Sequence, residues 1–147
     1  MKINTLIVDD EPLARDRVKR FLRDEHDIKI VGECGNGKEA VAAIREQRPD
    51  LVFLDIQMPE KNGFEVVKAL DERHMPAVIF VTAYDQYALQ AFDVHALDYL
   101  LKPFNRDRLH RAVSHARNQI ETKRIGNLDE RLSSLIKDLK SERKYLE

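Results

Sequence analysis

The sequence has almost no net charge: 25 Lys and Arg nearly cancel 26 Asp and Glu, leaving −1 at neutral pH. That balance removes the long-range electrostatic case for a dedicated nucleic-acid binder, leaving only a local basic patch open to that role. The single cysteine, Cys34, has no partner for an internal disulfide, so cysteine usage gives secretion no support. No window approaches the roughly eighteen consecutive apolar residues of a membrane-spanning helix. Met1-Lys2-Ile3-Asn4-Thr5 runs straight into a strand-like segment, without the apolar stretch and small-residue cleavage site of a signal peptide. His26, His74, His95, His110 and His115 show no metal-ligand spacing. Together these absences predict a cytoplasmic protein with no membrane segment.

What is present reads as one globular domain. At 147 residues the chain can bury roughly two thirds of its unfolded surface, enough for a core without disulfide or metal staples. The apolar share is 43%, and the charged share of 35% exceeds the roughly 25% of typical domains, which implies a well-solvated surface or highly charged helices.

Up to about residue 122, short apolar runs alternate with amphipathic stretches. Ile3 to Val8, Ile28 to Val31, Leu51 to Leu54, Val78 to Val81 and Tyr99 to Leu101 read as strands. Leu13, Ala14, Val18, Phe21 and Leu22 recur at helical spacing, with Asp10 as N-cap and Pro12 in the first turn. Val41, Ala42 and Ile44 mark a second helix, and Phe64, Val66, Val67 and Leu70 a third, started at the Asn62-Gly63 turn. Tyr87 to Val94 is a fourth, and Asn105 caps a fifth carrying Leu109, Val113, Ala116 and Ile120. Such alternation predicts an α/β fold: a doubly wound, five-stranded parallel sheet with helices on both faces.

After Gly126-Asn127 the character changes. Ile125, Leu132, Leu139 and Leu146 sit seven apart, Leu128 and Leu135 fill the complementary heptad position, and Glu142 breaks the seam. Two readings are open: a helix that pairs with another copy or leads to a further domain, or, more blandly, an amphipathic helix folded back on its own domain or a frayed end.

In a parallel α/β sheet, ligands bind beyond the carboxyl ends of the strands, at the switch in strand order. The residues there are Asp9 and Asp10 after the first strand, Asp55 after the third, Thr82 after the fourth and Lys102 after the fifth. An order 2-1-3-4-5 brings these side chains into one shallow cleft. Three carboxylates there repel one another unless a cation joins them, and hard oxygen ligands suit Mg²⁺ better than Zn²⁺. A carboxylate beside Mg²⁺, with a Lys ammonium and a hydroxyl near by, is suited to in-line attack on a phosphoryl group, giving an aspartyl phosphate. Each residue alone has a bland explanation as cap, loop starter, strand end or surface charge. All four strand ends carrying the required chemical type together do not.

The sequence resembles the receiver domain of two-component response regulators over roughly residues 1–122. The matching pieces are Leu6-Ile7-Val8-Asp9-Asp10-Glu11-Pro12, Asp55-Ile56-Gln57-Met58-Pro59 with Gly63, Val81-Thr82-Ala83, and Asp98-Tyr99-Leu100-Leu101-Lys102-Pro103. The stretch from Tyr84 to Phe92, continuing to Lys102-Pro103-Phe104, is similar to receivers of the LytR/AlgR (LytTR-type) branch. The resemblance implies a flavodoxin-like fold. It implies that Asp55 is the phosphoacceptor, taking its phosphoryl group from a sensor histidine kinase. It also implies that Asp9, Asp10, Asp55 and the backbone carbonyl of Gln57 hold Mg²⁺, and that Lys102 pairs with a phosphoryl oxygen. Thr82 then hydrogen-bonds another oxygen and Tyr99 follows it inward as the aromatic switch, while the small Ala83 leaves the acceptor accessible. The Lys102-Pro103 bond is cis in such domains. A signalling module rather than a turnover enzyme is expected, with homodimerisation on phosphorylation. Members of this branch reach DNA through a C-terminal output domain that these 147 residues have no room for. The division expected is therefore 1–122 as phosphoacceptor domain and 123–147 as linker and possible dimerisation helix; a stand-alone protein-interaction receiver is the alternative.

Competing readings are weaker. Gly32 to Ala40 nearly spells a phosphate-binding P-loop, but Glu39 stands where the Ser/Thr for Mg²⁺ belongs. It also nearly spells a dinucleotide fingerprint, but after the second strand instead of the first. A haloacid dehalogenase-type hydrolase needs an acid two residues after its nucleophile, where this chain has Gln57. A flavin site needs a hydroxyl-rich loop where Asp9-Asp10-Glu11 would repel phosphate. Cys34 reads as a packed small apolar residue. Tyr87 and Phe92 are either a state-dependent contact face or core.

Overall fold

A computed structural model describes the backbone of residues 2–146 and the side chains of residues 2–141. In chain order the elements are β1 (Ile3–Val8), α1 (Pro12–Leu22), β2 (Ile28–Cys34), α2 (Gly37–Gln47), β3 (Leu51–Asp55), α3 (Gly63–Lys68), β4 (Ala77–Thr82), α4 (Ala88–Asp93), β5 (Asp98–Leu101) and α5 (Arg106–Leu146). Single 3₁₀ turns at Glu72–His74 and Asp85–Tyr87 precede β4 and α4. The strands form one five-stranded sheet in the order β2-β1-β3-β4-β5, every pairing parallel. This is the doubly wound, flavodoxin-like arrangement the sequence predicted.

Strand side chains alternate between two cores, as the pleat requires. Leu6, Val8, Val52, Leu54 and Phe80 face α2 and α3, meeting Ile44, Phe64 and Val66. Ile3, Ile7, Phe53, Ile79 and Val81 face α1 and α5, meeting Val18, Leu22, Leu109 and Val113. β3 is buried along its whole length, which explains why it reads as a continuous apolar run. Its Phe53 and the neighbouring Phe80 are essentially inaccessible, and truncating either to Ala costs about 3–5 kcal/mol.

Local chemistry sets the helix starts. Asn36 accepts the Glu39 N–H at α2, and Asn62 forms a capping box with Glu65 at α3. Asn105 caps α5 as predicted, accepting the Arg108 N–H at 2.8 Å. Asp10 does not cap α1. The N-cap position is Glu11, without a side-chain bond, and Pro12 occupies the first turn. The expected cap is displaced by one residue because Pro12 tolerates the position that needs no N–H donor. β2 runs three residues past the predicted Val31, since its pairing with β1 continues to Val8↔Cys34 beyond a register shift at Thr5/Leu6. The fourth helix is a 3₁₀ turn followed by six α-helical residues.

The largest difference lies at the C-terminus. α5 runs unbroken from Arg106 through Gly126 and Asn127 to Leu146, so the change in sequence character after residue 122 is not a break in structure. One internal Gly costs about 1 kcal/mol relative to Ala, too little to end a helix propagated from both sides. Ile125, Leu128, Leu132, Leu135 and Leu139 are 49–61% exposed, so over the described side chains the tail does not fold back on its own domain. Glu142 and Leu146, also part of the heptad reading, lie outside the described side chains.

A Cβ at Gly126 would meet nothing within 4 Å. Gly126→Ala is therefore expected to stabilise α5 locally by about 1 kcal/mol. Slower amide exchange across residues 122–130 checks this; unchanged exchange would mean the helix ends before Gly126.

Candidate functional site

Parallel register decides which strand ends meet. Val8 pairs with Leu54, Asp55 with Val81 and Thr82 with Leu101, so Asp9, Asp55, Thr82 and Lys102 fall in one row at the carboxyl edge of the sheet. The Lys102 N–H donates to the Thr82 carbonyl at 2.7 Å, locking the last two members side by side. The Lys102-Pro103 peptide is cis, as the resemblance implied.

Three carboxylates converge. Asp9, Asp10 and Asp55 each offer an oxygen, all within 4.8 Å of one another; Asp9 and Asp55 are buried and Asp10 is exposed. Lys102 reaches over them, its Nζ 2.8 Å from Asp9 Oδ2 and 3.9 Å from Asp55 Oδ2. Backbone donors fix two of the carboxylates: the Glu11 N–H on Asp9 Oδ1 at 2.9 Å and the Gln57 N–H on Asp55 Oδ1 at 3.2 Å. One ammonium against three carboxylates leaves a surplus of negative charge. Hard oxygen donors in that number, with one side open, fit a divalent cation of the Mg²⁺ type that keeps positions for water or phosphate oxygens.

Protonation follows from burial. Loss of solvent, reinforced by the Asp9 charge, pushes the Asp55 carboxyl up to about 7, against the opposing pull of Lys102 and the Gln57 N–H. Burial works to lower the Lys102 pKa, but its bond to Asp9 and the charges of Asp55 and Asp9 outweigh it, so the value is raised. Lys102 is therefore a fixed positive charge.

Thr82 is buried at the edge of this cluster, its Oγ accepting the Tyr84 N–H at 3.3 Å. Tyr99 stands on β5, and its hydroxyl donates to the Tyr84 carbonyl. Thr82 and Tyr99 thus grip the same loop residue from opposite sides. Gln57 donates its side-chain amide to the Tyr87 hydroxyl at 2.9 Å, tying the loop after β3 to that before α4.

Two residues have roles at the site that the sequence does not reveal, although Gly63 reads as part of a motif and a turn. Gly63 is needed by close approach: a Cβ there would lie 2.6 Å from the Asp55 carbonyl oxygen and 3.0 Å from Ile56 Cα. Arg15 donates to the Asp9 carbonyl at 2.6 Å and ion-pairs Glu33, bracing the first strand end from α1. Neither role has a local signal, because each depends on a partner brought by the fold. Cys34 is buried and its thiol pKa is raised by that burial, as for a packed apolar residue. His110 and His115 engage Glu25 and Asp98, at 2.5 and 3.3 Å, away from the carboxylate cluster. Phe92 is 80% exposed, while Tyr87 is half-buried against Phe64.

The geometry agrees with comparisons to known proteins. The family model described as "Response regulator receiver domain" matches residues 5–114. The transcriptional regulatory protein BtsR of Escherichia coli is 47% identical over 133 residues, covering 90% of this chain and 56% of BtsR. The sensory transduction protein LytT of Bacillus cereus is 46% identical over 126 residues, covering 82% of this chain and 51% of LytT. The chain thus spans about half the length of the curated relatives it matches. Among solved structures, the REC domain of AraT, a response regulator from Geobacillus stearothermophilus, superposes with a TM-score of 0.77 at 30% identity, covering 84% of this chain and 99% of that one.

A carboxyl held above its ordinary 3.8 binds its proton more tightly in the folded than in the unfolded chain. In metal-free protein Asp55 therefore lowers stability as pH rises from about 4 to about 7, by on the order of a few kcal/mol. Asp55→Asn is expected to exceed wild type in urea unfolding at pH 8 in a chelator, with the gap shrinking at pH 5. An equal gap at both pH values would mean the carboxyl is not held up by its surroundings.

Proposed function

This chain belongs to the response regulator receiver family, and we propose that Asp55 is its phosphoacceptor, taking a phosphoryl group from the phosphohistidine of a sensor histidine kinase. LytT stands among its relatives, as the LytR/AlgR branch expected from the sequence requires. The observation that carries the proposal is the buried Asp55 with Asp9 and Asp10 within 4.8 Å and Lys102 Nζ 3.9 Å away.

Asp9, Asp10, Asp55 and the Gln57 carbonyl would hold Mg²⁺, which when bound offsets carboxylate repulsion and phosphoryl charge. An Asp55 carboxylate oxygen attacks the phosphorus in line; the new O–P bond forms as the P–N bond to the kinase histidine breaks, and the imidazole leaves with the bonding pair. Lys102 shifts its ammonium from Asp9 toward a phosphoryl oxygen, and the Thr82 hydroxyl donates to another. Turning Thr82 toward the phosphoryl group gives up its bond from the Tyr84 N–H. Tyr99, bonded to the carbonyl of the same residue, is then free to follow inward. That shared grip supports the switch roles of Thr82 and Tyr99. Gln57 offers no acid or base for rapid hydrolysis, which supports a signalling role over multiple turnover.

Residues 1–122 then act as the phosphoacceptor domain and residues 123–147 as a helical linker. The exposed stripe from Ile125 to Leu139 has the seven-residue repeat of a helix that pairs with a second copy of itself. We assign the output to transcription through a DNA-binding domain beyond this chain, supported by the name of BtsR and by its greater length.

Acetyl phosphate with Mg²⁺ is expected to add about 80 Da to the wild-type chain and nothing to Asp55→Asn. Intact-mass spectrometry reads this directly, and an adduct persisting in the variant would move the acceptor elsewhere. Beryllofluoride with Mg²⁺ is expected to tighten self-association in sedimentation. Replacing Leu132 and Leu135 with Ser should abolish that gain; a response indifferent to these substitutions would remove the tail from the dimer.

A further inference from the structure

At the end of the sheet opposite Asp55, where β3 and β4 begin, the body and α5 line a half-open cavity of about 310 Å³. The length of β3 separates the two sites by roughly 17 Å. The floor is apolar, including Pro49, Pro76, Leu97 and Ile120. The walls carry Arg48, Arg73, Lys123 and Arg124, with the imidazoles of His74 and His95, and a single carboxylate, Asp50. That carboxylate is already engaged: Arg124 lies 3.2 Å from it, and the Asn4 N–H donates to it at 2.8 Å. Among the described residues Arg48, Arg73 and Lys123 make no ion pair. A chain with a net charge of −1 thus gathers four cations around one concavity.

The backbone supplies an independent observation. Among the described residues three non-glycine positions have positive φ, and two of them, Arg48 at 47° and His95 at 60°, line this cavity. Arg48 follows the last turn of α2 and His95 lies just past α4, both places where Gly or Asn is favoured because a Cβ is crowded at positive φ. Helix termination explains the left-handed backbone at each position but not the choice of a cationic or imidazole side chain there. Non-glycine residues held in the left-handed region cluster at ligand-binding and other functional sites.

We propose that this cavity binds a multivalent oxyanion of the diphosphate class. Guanidinium groups match such oxygens with paired N–H donors, and the volume lies at the lower end of small-ligand sites. Because Lys123 and Arg124 come from α5 where it leaves the domain, an anion held between them and Arg48 and Arg73 fastens the helix exit to the body. The site is separate from the Asp55 cluster, whose carboxylates repel such a ligand.

The test uses inorganic pyrophosphate on the full chain without Mg²⁺, followed by amide NMR shifts at near-physiological salt. Saturable shifts are expected at Ala77, Val78, Leu97 and Lys123. Arg73→Gln with Lys123→Gln should weaken binding by about tenfold or more while leaving acetyl phosphate labelling unchanged. Arg48→Gly should raise the melting temperature, by relieving the backbone, yet weaken pyrophosphate binding. Arg20→Gln on α1, a charge removed elsewhere, should leave affinity as it was. No saturable shift at these amides overturns the proposal, as does equal weakening by Arg20→Gln or an Arg48→Gly variant that binds as wild type. Loss of labelling at Asp55 alone would leave this cavity standing, so the two sites are tested separately.

Discussion

The ammonium of Lys102 lying on Asp9, at the edge of a sheet that forces carboxylates together, is the contact on which the rest of this molecule turns. Asp9, Asp10 and Asp55 would separate in a free chain, because like charges a few ångströms apart in a poorly solvated cleft repel strongly. They are held by parallel pairing, Val8 to Leu54 and Asp55 to Val81, and by two apolar layers that make that pairing costly to break. Stability of the cores is thus converted into electrostatic tension at one edge. Clustered carboxylate oxygens of this kind have the donor set of a divalent-cation site.

The same edge is linked by hydrogen bonds to the loop between β4 and α4. Thr82 and Tyr99 hold the two backbone polar groups of Tyr84, and Gln57 reaches across to Tyr87. A change in the partner of any one hydroxyl therefore alters the path between β4 and α4. Beyond that loop, Leu89 and Phe92 stand 82% and 80% exposed on α4, an apolar surface next to the hydrogen-bonded loop. Ion pairs on the other face, Arg117 to Asp27 at 2.5 Å and Arg108 to Asp98 at 2.6 Å, fasten α5 to the turn just before β2 and to β5.

α5 carries the consequences outward. Its first half is buried through Leu109, Val113, Ala116 and Ile120, and its second half presents a heptad stripe to solvent. The transition falls where Lys123 and Arg124 meet the end of the sheet remote from Asp55. The domain body thus grips the helix in the segment that connects buried turns to exposed ones.

The alternation of apolar runs and amphipathic stretches was enough to determine the fold class, because a strand buried on both faces, such as Leu51 to Leu54, and a helix one face of which meets the core leave different periods in the chain. The chemical types at the strand ends were legible too, since topology places every carboxyl end of a parallel sheet on one side. Four things were decided only in three dimensions. The sequence changes character after Gly126-Asn127, yet both lie inside α5, because a local penalty of about 1 kcal/mol is small beside helix continuity. The need for Gly63 is set by the Asp55 carbonyl oxygen, 2.6 Å from where its side chain would begin, and the elevated Asp55 pKa by burial that no residue reports about itself. The cationic cavity draws Arg48, Arg73 and Lys123 from distant parts of the chain, and in a sequence with balanced charge their gathering leaves no trace until the chain folds.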